Sequence, residues 1–218
     1  MRICSLEVPV VSSCNGTTQV TDAGLVHLKG LMNLETLVLT NTNLTDAGLK
    51  HVKGMTNLTS LSFSSTQVSD AGLEHLKGLK NLTALELYET RISDEGLKKS
   101  FKDLTKLTYL HLESNNITDV GLEHLKGFSE LTQLVLSGTK VGDAGLEHLK
   151  GLVNLRVLRL SETKVSDQGL EHLKGLKNLE HIGLTGTEVT DTGVTELHKD
   201  LPKCQITYTD NGETKTIE

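Results

Sequence analysis

Large rings are scarce in this chain: three tyrosines, three phenylalanines and no tryptophan in 218 residues. Hydrophobic residues make up only 36%, so whatever core exists is built almost wholly from leucine and valine. That suits a thin, repetitive core. There are only two prolines, and no proline-rich, glycine/serine-rich or single-sign run offers a linker, so the chain reads as one domain. Clustered basic residues are also missing. With 22 Lys and Arg against 28 Asp and Glu, the net charge is -6, which argues against a nucleic-acid partner. No apolar run reaches membrane-spanning length, and the opening MRICSLEVPVVSSCNG lacks the leucine-rich stretch of a signal peptide. No membrane insertion is expected. The chain as written reads as soluble and cytoplasmic, or as secreted or surface-exposed if an upstream signal was removed. Cys4, Cys14 and Cys204 have no zinc spacing, and a Cys4–Cys14 bridge would require an oxidising compartment.

What the chain does have is one sentence written repeatedly. VTDAGLVHLKGLMNLETLVLTNTN, from Val20 to Asn43, is followed by LTDAGLKHVKGMTNLTSLSFSSTQ. Copies begin at Val20, Leu44, Val68, Ile92, Ile117, Val141, Val165 and Val189, spaced by 24 residues except for one 25-residue copy after Ile92. A fixed period of this size implies a solenoid.

The first half of each copy predicts a short helix. Thr21 is its N-cap, Asp22 lies in the first turn, and Val20 at N′ staples to Leu25 at N4. Lys29 falls in the last turn and Gly30 at the left-handed C′ position. Gly142 is the one weak cap. The second half, LETLVL, alternates Leu37 and Leu39 with Thr36, Val38 and Thr40, the period of a strand with one buried face. Neither element buries its leucines alone, so successive copies must stack. Strands need about 4.8 Å each and helices about 8 to 10 Å, so the stack curves with its strands inside.

The pattern LxxLxLxxT, with the TDAGLxHLKGLxNL helical half, resembles the leucine-rich repeat family, in the 24-residue bacterial form related to ribonuclease-inhibitor-like horseshoes. The resemblance covers residues 18 to about 209. It implies an α/β fold: a right-handed solenoid with parallel strands on the concave face and short helices on the convex face. Such modules bind proteins or peptides. The asparagine usual after the strand is here Thr42, Thr66, Thr90, Thr139, Thr163 and Thr187, with Asn115 the exception. Threonine satisfies loop backbone groups less completely than an amide.

A second column is glycine inside the helix: Gly24, Gly48, Gly72, Gly96, Gly121, Gly145, Gly169 and Gly193. Each costs about 0.8 to 1 kcal/mol against alanine, which implies a close approach that a Cβ would block. Residues 1–19 read as an N-terminal cap or degenerate first strand, 20–203 as the repeats, and 204–218 as a C-terminal strand with a hairpin cap. There Asn211-Gly212 predicts a two-residue turn that sets Ile206 opposite Ile217 and covers the exposed edge.

Candidate chemistry is sparse. His27, His51, His75, His124, His148 and His172 recur at one helix offset in six of the copies, with Lys99 in their place in the fourth. Helix spacing keeps them too far apart to share a metal, so they read as solvated. The sequons at Asn15, Asn43, Asn57, Asn81 and Asn116 largely restate the repeat template. No phosphate-cradling loop, H-E-x-x-H helix or nucleophile elbow occurs, and the chain reads as no enzyme, with no cofactor.

Variation is confined to the inward strand positions. The first two strands offer Thr36, Val38, Thr40 and Ser60, Ser62, Ser64; the centre offers Glu86, Tyr88, Tyr109, His111 and Glu113, flanked by Gln133 and Arg159. Exposed tyrosines among charges suit a protein-binding hot spot. The expected function is therefore a non-enzymatic, monomeric scaffold for a protein or peptide ligand. The alternative is a structural spacer or surface-stalk fragment. A less favoured third is metal-dependent activity at Glu86, His111 and Glu113, whose ligand types suit zinc although a flat sheet holds them apart.

Overall fold

The computed structural model describes residues 10–11 and 20–218, with side chains from Val20 onward. Its strands form one ten-stranded sheet in sequential order. They are β1 (Val10–Val11), β2 (Thr36–Val38), β3 (Ser60–Ser62), β4 (Ala84–Glu86) and β5 (Tyr109–His111), then β6 (Gln133–Val135), β7 (Val157–Arg159), β8 (His181–Leu184), β9 (Gln205–Asp210) and β10 (Glu213–Ile217). Neighbours from β1 to β9 are parallel, and β10 returns antiparallel to β9. Each parallel step crosses over through a helix, the right-handed connection that twisted strands favour. The result is the curved solenoid anticipated from the repeat, strands on the concave side.

Register is uniform. Leu37, Leu61, Leu85, Leu110, Leu134, Leu158, Ile182 and Ile206 stand in one row across the sheet, all buried. Each leucine so buried contributes about 1.5 to 3 kcal/mol. The 25-residue copy uses its extra residue to lengthen its helix and to place Phe101 in the core, where its ring centroid lies 6.2 Å from that of Phe128.

The helical halves are shorter than the caps predict. α1 (Asp22–Leu25), α2 (Asp46–Leu49), α3 (Asp70–Leu73), α5 (Asp119–Leu122), α6 (Asp143–Leu146) and α7 (Asp167–Leu170) are single α-turns; α2 ends there and the other five tighten into a 3-10 turn. Only α4 (Asp94–Ser100) and α8 (Asp191–Asp200) run further. A 24-residue period leaves room for little more, and 3-10 turns commonly close such ends. The left-handed glycine is present at Gly30, Gly54 and Gly78, with φ of 98°, 89° and 93°. At Gly127, Gly151 and Gly175 it is not. There the preceding Lys126, Lys150 and Lys174 are helical rather than extended, and the turn no longer needs a positive φ.

Thr45, Ser69, Thr118 and Ser166 accept a bond from the backbone two residues on, and Thr190 from three; Thr21, Ser93 and Gly142 make no side-chain cap. Stronger capping comes from the neighbouring repeat. Asp22 accepts from the Thr45 N–H at 2.9 Å and its hydroxyl at 2.5 Å, and Asp46, Asp70, Asp94, Asp143 and Asp167 repeat the pair on Ser69, Ser93, Thr118, Ser166 and Thr190. Asp119 bonds the Gly142 N–H at 2.6 Å. A Cβ on any of Gly48, Gly72, Gly96, Gly121, Gly145, Gly169 or Gly193 would collide with this aspartate. The glycine column thus exists to admit a carboxylate.

Threonines behave as the weaker substitute. Thr42, Thr66, Thr139 and Thr163 each donate to the strand carbonyl three residues back, at 2.6 to 2.7 Å. Asn115 instead donates to the Leu87, Leu112 and Glu113 carbonyls and accepts from Thr90 Oγ1 and the Ile92 N–H.

At the C-terminus Asn211 and Gly212 have φ of 51° and 83°, both positive as the tight hairpin turn requires, and Ile217 pairs with Ile206. At the other end Val10–Val11 pairs in parallel with Thr36–Leu37. Cys4, Cys14 and Asn15 lie outside the described residues. No described helix is long and apolar enough to cross a membrane.

Candidate functional site

Strand alternation sends Leu85, Leu87, Leu110 and Leu112 into the core and leaves the residues between them on the concave face. Parallel register then sets Glu86 beside His111, with Val135, Arg159 and Gly183 continuing that row, and Ala84 beside Tyr109, Gln133, Val157 and His181 in the next.

Five of the seven sequence candidates form one cluster around His111. Its Nε2 lies 3.0 Å from Glu113 Oε2 and its Nδ1 3.3 Å from the Tyr109 hydroxyl. Both ring nitrogens are thus engaged, one by the Glu113 carboxylate and the other by the Tyr109 hydroxyl. Tyr88 stacks on the same imidazole at 5.6 Å and 23°, and the Tyr109 ring meets it at 6.2 Å and 53°. Glu86 accepts a bond from Ser62 Oγ at 3.2 Å. All five side chains are half-buried. Gln133 and Arg159 are exposed on the cluster's flank, Gln133 beside Tyr109 in the register and Arg159 one strand further.

Both phenols are held in their neutral form. The Glu89 carboxylate raises the Tyr88 pKa, with burial and Glu113 adding to it. Burial raises that of Tyr109, with Glu86 adding and Arg159 opposing. Each remains an O–H donor at neutral pH. Two aromatic rings held against an imidazole, with carboxylates at the edge, offer stacking and charge recognition on a preformed surface.

Three other groups contribute that were not among the seven sequence candidates. Ser62 and Ser64, which the sequence placed on a bland exposed strip, are each 3% exposed. Small side chains next to Glu86 and Tyr88 are covered by them: Ser62 bonds Glu86, and Ser64 Oγ accepts the Tyr88 N–H at 3.1 Å. Glu89 borders Tyr88 from a left-handed position, φ 52°, just past the strand. Size complementarity between adjacent repeats was the available signal for the serines.

The histidine column is not simply solvated. His27 is exposed, but His51, His75, His124, His148 and His172 are half-buried, and His148 Nδ1 is buried with no hydrogen-bond partner among the described residues. Short repeats bring the 3-10 turns together and cover the rings. Sequon residues Asn57 and Asn81 donate their amides to the Met32 and Thr56 carbonyls of the preceding loop, which accounts for them structurally. Among the described residues no group of three or more His, Cys, Asp or Glu side chains is placed to hold a metal. At the proposed zinc trio both His111 nitrogens already have partners.

Open sheet, sequential parallel strands and one short helix per strand define a leucine-rich-repeat solenoid. The family model for a leucine-rich repeat region matches residues 10–211, and the chain belongs to that family. No curated protein sequence matches it. Among solved structures it is similar to an internalin (inlF) from Listeria monocytogenes, with TM-score 0.67, 24% identity, 84% of this chain covered and 52% of that one. It is also similar to internalin C2 from the same species, with TM-score 0.59, 25% identity and coverage of 87% and 84%. The chain therefore spans about half the length of the first of these. Folds of this family commonly serve as protein-binding scaffolds.

Proposed function

We propose that the protein is a non-enzymatic, monomeric scaffold that binds a protein or peptide through the concave strip of Glu86, Tyr88, Tyr109, His111 and Glu113, flanked by Gln133 and Arg159. The observation that carries this reading is the cluster itself. Two tyrosines are fixed against His111 before any partner arrives, so little side-chain entropy remains to be lost on binding. Rigid, amphipathic rings ringed by charge are what interface hot spots use. The C-terminal hairpin covers the last parallel edge, which supports a monomer.

The test is a random octapeptide display library selected on the wild-type protein. Tyr88→Ala with Tyr109→Ala is expected to leave the fold intact and to weaken selected peptides about thirtyfold or more, since loss of even one such anchor costs about 2 kcal/mol or more. Val120→Ser with Val153→Ser, on the exposed helical side, is the control. Binding that survives the tyrosine changes and fails with the control would move the working surface to the convex face.

A further inference from the structure

The concave face has a second feature, two strands beyond the tyrosines. An open hollow of about 190 Å³ is lined by residues of β7, β8, β9 and the turns after them, among them Arg159, Ser161, His181, Gly183 and Thr185. Gly183 creates it. Every other copy carries a side chain at that row position, and a Cβ there would make only ordinary van der Waals contacts, with Ser161 Oγ at 3.5 Å and Arg159 Cγ at 3.9 Å. Left-handed strain plays no part, because Gly183 has no positive φ.

Among the described residues Arg159 is the one permanent cation at an inward strand position, and it is exposed. Among the described residues it has no carboxylate within ion-pair distance, although Arg156 three residues earlier is paired with Glu180. The hollow's lining contains hydroxyls, an imidazole, a guanidinium and no acidic side chain. In a chain of net charge -6 this is a local inversion of sign. Glu86 and Glu113 lie on the other side of β6, two to three strand spacings away, which is about 10 to 14 Å.

We infer that the hollow at Arg159 receives an aspartate or glutamate side chain of the bound peptide, while Glu86 and Glu113 receive a lysine or arginine three or four residues away. This rests on the concave-face reading above. An extended peptide advances about 3.3 Å per residue, so three or four residues span the 10 to 14 Å between the two charged ends. A guanidinium accepts a carboxylate with two parallel hydrogen bonds, and the hydroxyls at the wall satisfy the remaining lone pairs. The tyrosines, on and just past the same two strands as Glu86 and Glu113, pack against the peptide at its basic end. The occupant is therefore a peptide of mixed charge with a set spacing, not an acidic or a basic one.

Octapeptides displayed with both ends fused, so that no terminal carboxylate is free, are selected on the wild type, on Arg159→Glu and on the double tyrosine variant. Wild-type selection is expected to enrich Asp or Glu three or four positions from Lys or Arg. Arg159→Glu is expected to lose the acidic preference and to enrich Lys or Arg in its place. A wild-type-selected peptide, synthesised with blocked ends, is expected to bind Arg159→Gln about tenfold more weakly, as loss of one charged hydrogen-bonded pair implies. Enriched peptides that need the tyrosines but show no acidic preference, or whose preference ignores Arg159→Glu, overturn this inference and leave the concave-face reading standing. Peptides that bind regardless of the tyrosines overturn that reading as well. So does a library that enriches nothing beyond an unrelated control protein.

Discussion

Asp46 Oδ1 accepts a hydrogen bond from the backbone N–H of Gly72 at 3.0 Å, so the acid that opens one helix closes onto the glycine of the next. The same carboxylate takes the Ser69 N–H and hydroxyl, both at 2.7 Å. Orphan donors at a helix start are ordinarily met by that helix's own N-cap. Here the acceptor comes from the preceding repeat, which makes the cap a nearest-neighbour coupling of the kind on which solenoid stability depends.

Two glycines in the same column should therefore answer alanine with opposite signs. A Cβ on Gly72 would stand 2.6 Å from Asp46 Oδ1 and 2.8 Å from Val68 Cγ1, while one on Gly24 would meet nothing within 4 Å among the described residues. Gly72→Ala is expected to destabilise by about 1 to 3 kcal/mol through overpacking, and Gly24→Ala to stabilise by up to about 1 kcal/mol through helix propensity. Urea unfolding of both variants reads the difference. Equal effects of the same sign would refute the carboxylate explanation.

A residue two or three positions past each of strands β2 to β8 is left-handed: Asn41, Ser65, Glu89, Ser114 and Glu162 have φ of 52° to 57°, and Gly138 and Gly186 take 65° and 72°. Glutamate is strained there by about 1 to 2 kcal/mol, more than glycine's extra unfolded-state entropy of about 0.5 to 1 kcal/mol. Glu162→Gly is expected to raise stability by a few tenths to about 1 kcal/mol, because the hydrogen bond Glu162 donates to the Thr185 carbonyl comes from its backbone, which glycine keeps. A lowered melting temperature would show that its side chain does more than decorate the turn.

Most of the fold was legible because each copy repeats the same evidence. Strand rows, the hairpin turn at Asn211-Gly212 and the Ile206–Ile217 pair all follow from local chemistry. The left-handed column was not legible, since Asn, Ser, Glu and Gly share no side-chain signature at that position. Nor was the partner of Asp22: its place in the first turn points to the helix dipole, whereas its bonds are to Thr45, 23 residues on. At the candidate site the alternation selected the right face, but the covering of Ser62 and Ser64 depends on how Glu86 and Tyr88 lean across the strand gap, which pattern alone does not encode.

Cys204 is fully buried in the last turn of the core, and burial pushes its thiol up to about 11, with Glu180 adding to the effect. At pH 8 a free cysteine is partly thiolate, the species that reacts. Iodoacetamide at pH 8 is expected to alkylate Cys204 at least about a hundredfold more slowly in the native protein than in urea. Peptide mapping by mass spectrometry checks this. Rapid labelling in the native state would mean that the C-terminal core opens far more readily than its burial allows.

The ladder of aspartates ends on different chemistry. Asp191, with no further helix to cap, accepts from Lys215 Nζ at 2.7 Å and from the Tyr208 hydroxyl at 2.9 Å, and Lys215 also bonds Asp210 at 2.7 Å. The hydrogen bond from Lys215 first, then that from Tyr208, holds the Asp191 carboxyl below its ordinary range, and the two aspartates raise the Lys215 ammonium. A depressed acid stabilises the fold above its unfolded value of about 3.9 and loses that contribution as pH falls through the lower folded value. A raised lysine stabilises below about 10.4 and loses its contribution as pH rises through the higher folded value. At neutral pH both contributions are present, so Asp191→Ala is expected to lower the melting temperature at pH 7, with a gap from wild type that narrows steadily below about pH 4. Lys215→Met should show the same acid convergence. Removing residues beyond Thr209 deletes β10 altogether, bares the β9 edge and is expected to produce dimers and larger species in size-exclusion chromatography. If the gap between wild type and Asp191→Ala stays constant from pH 7 to pH 2 and the truncated chain remains monomeric with an unchanged melting temperature, the hairpin is not the cap that closes this solenoid.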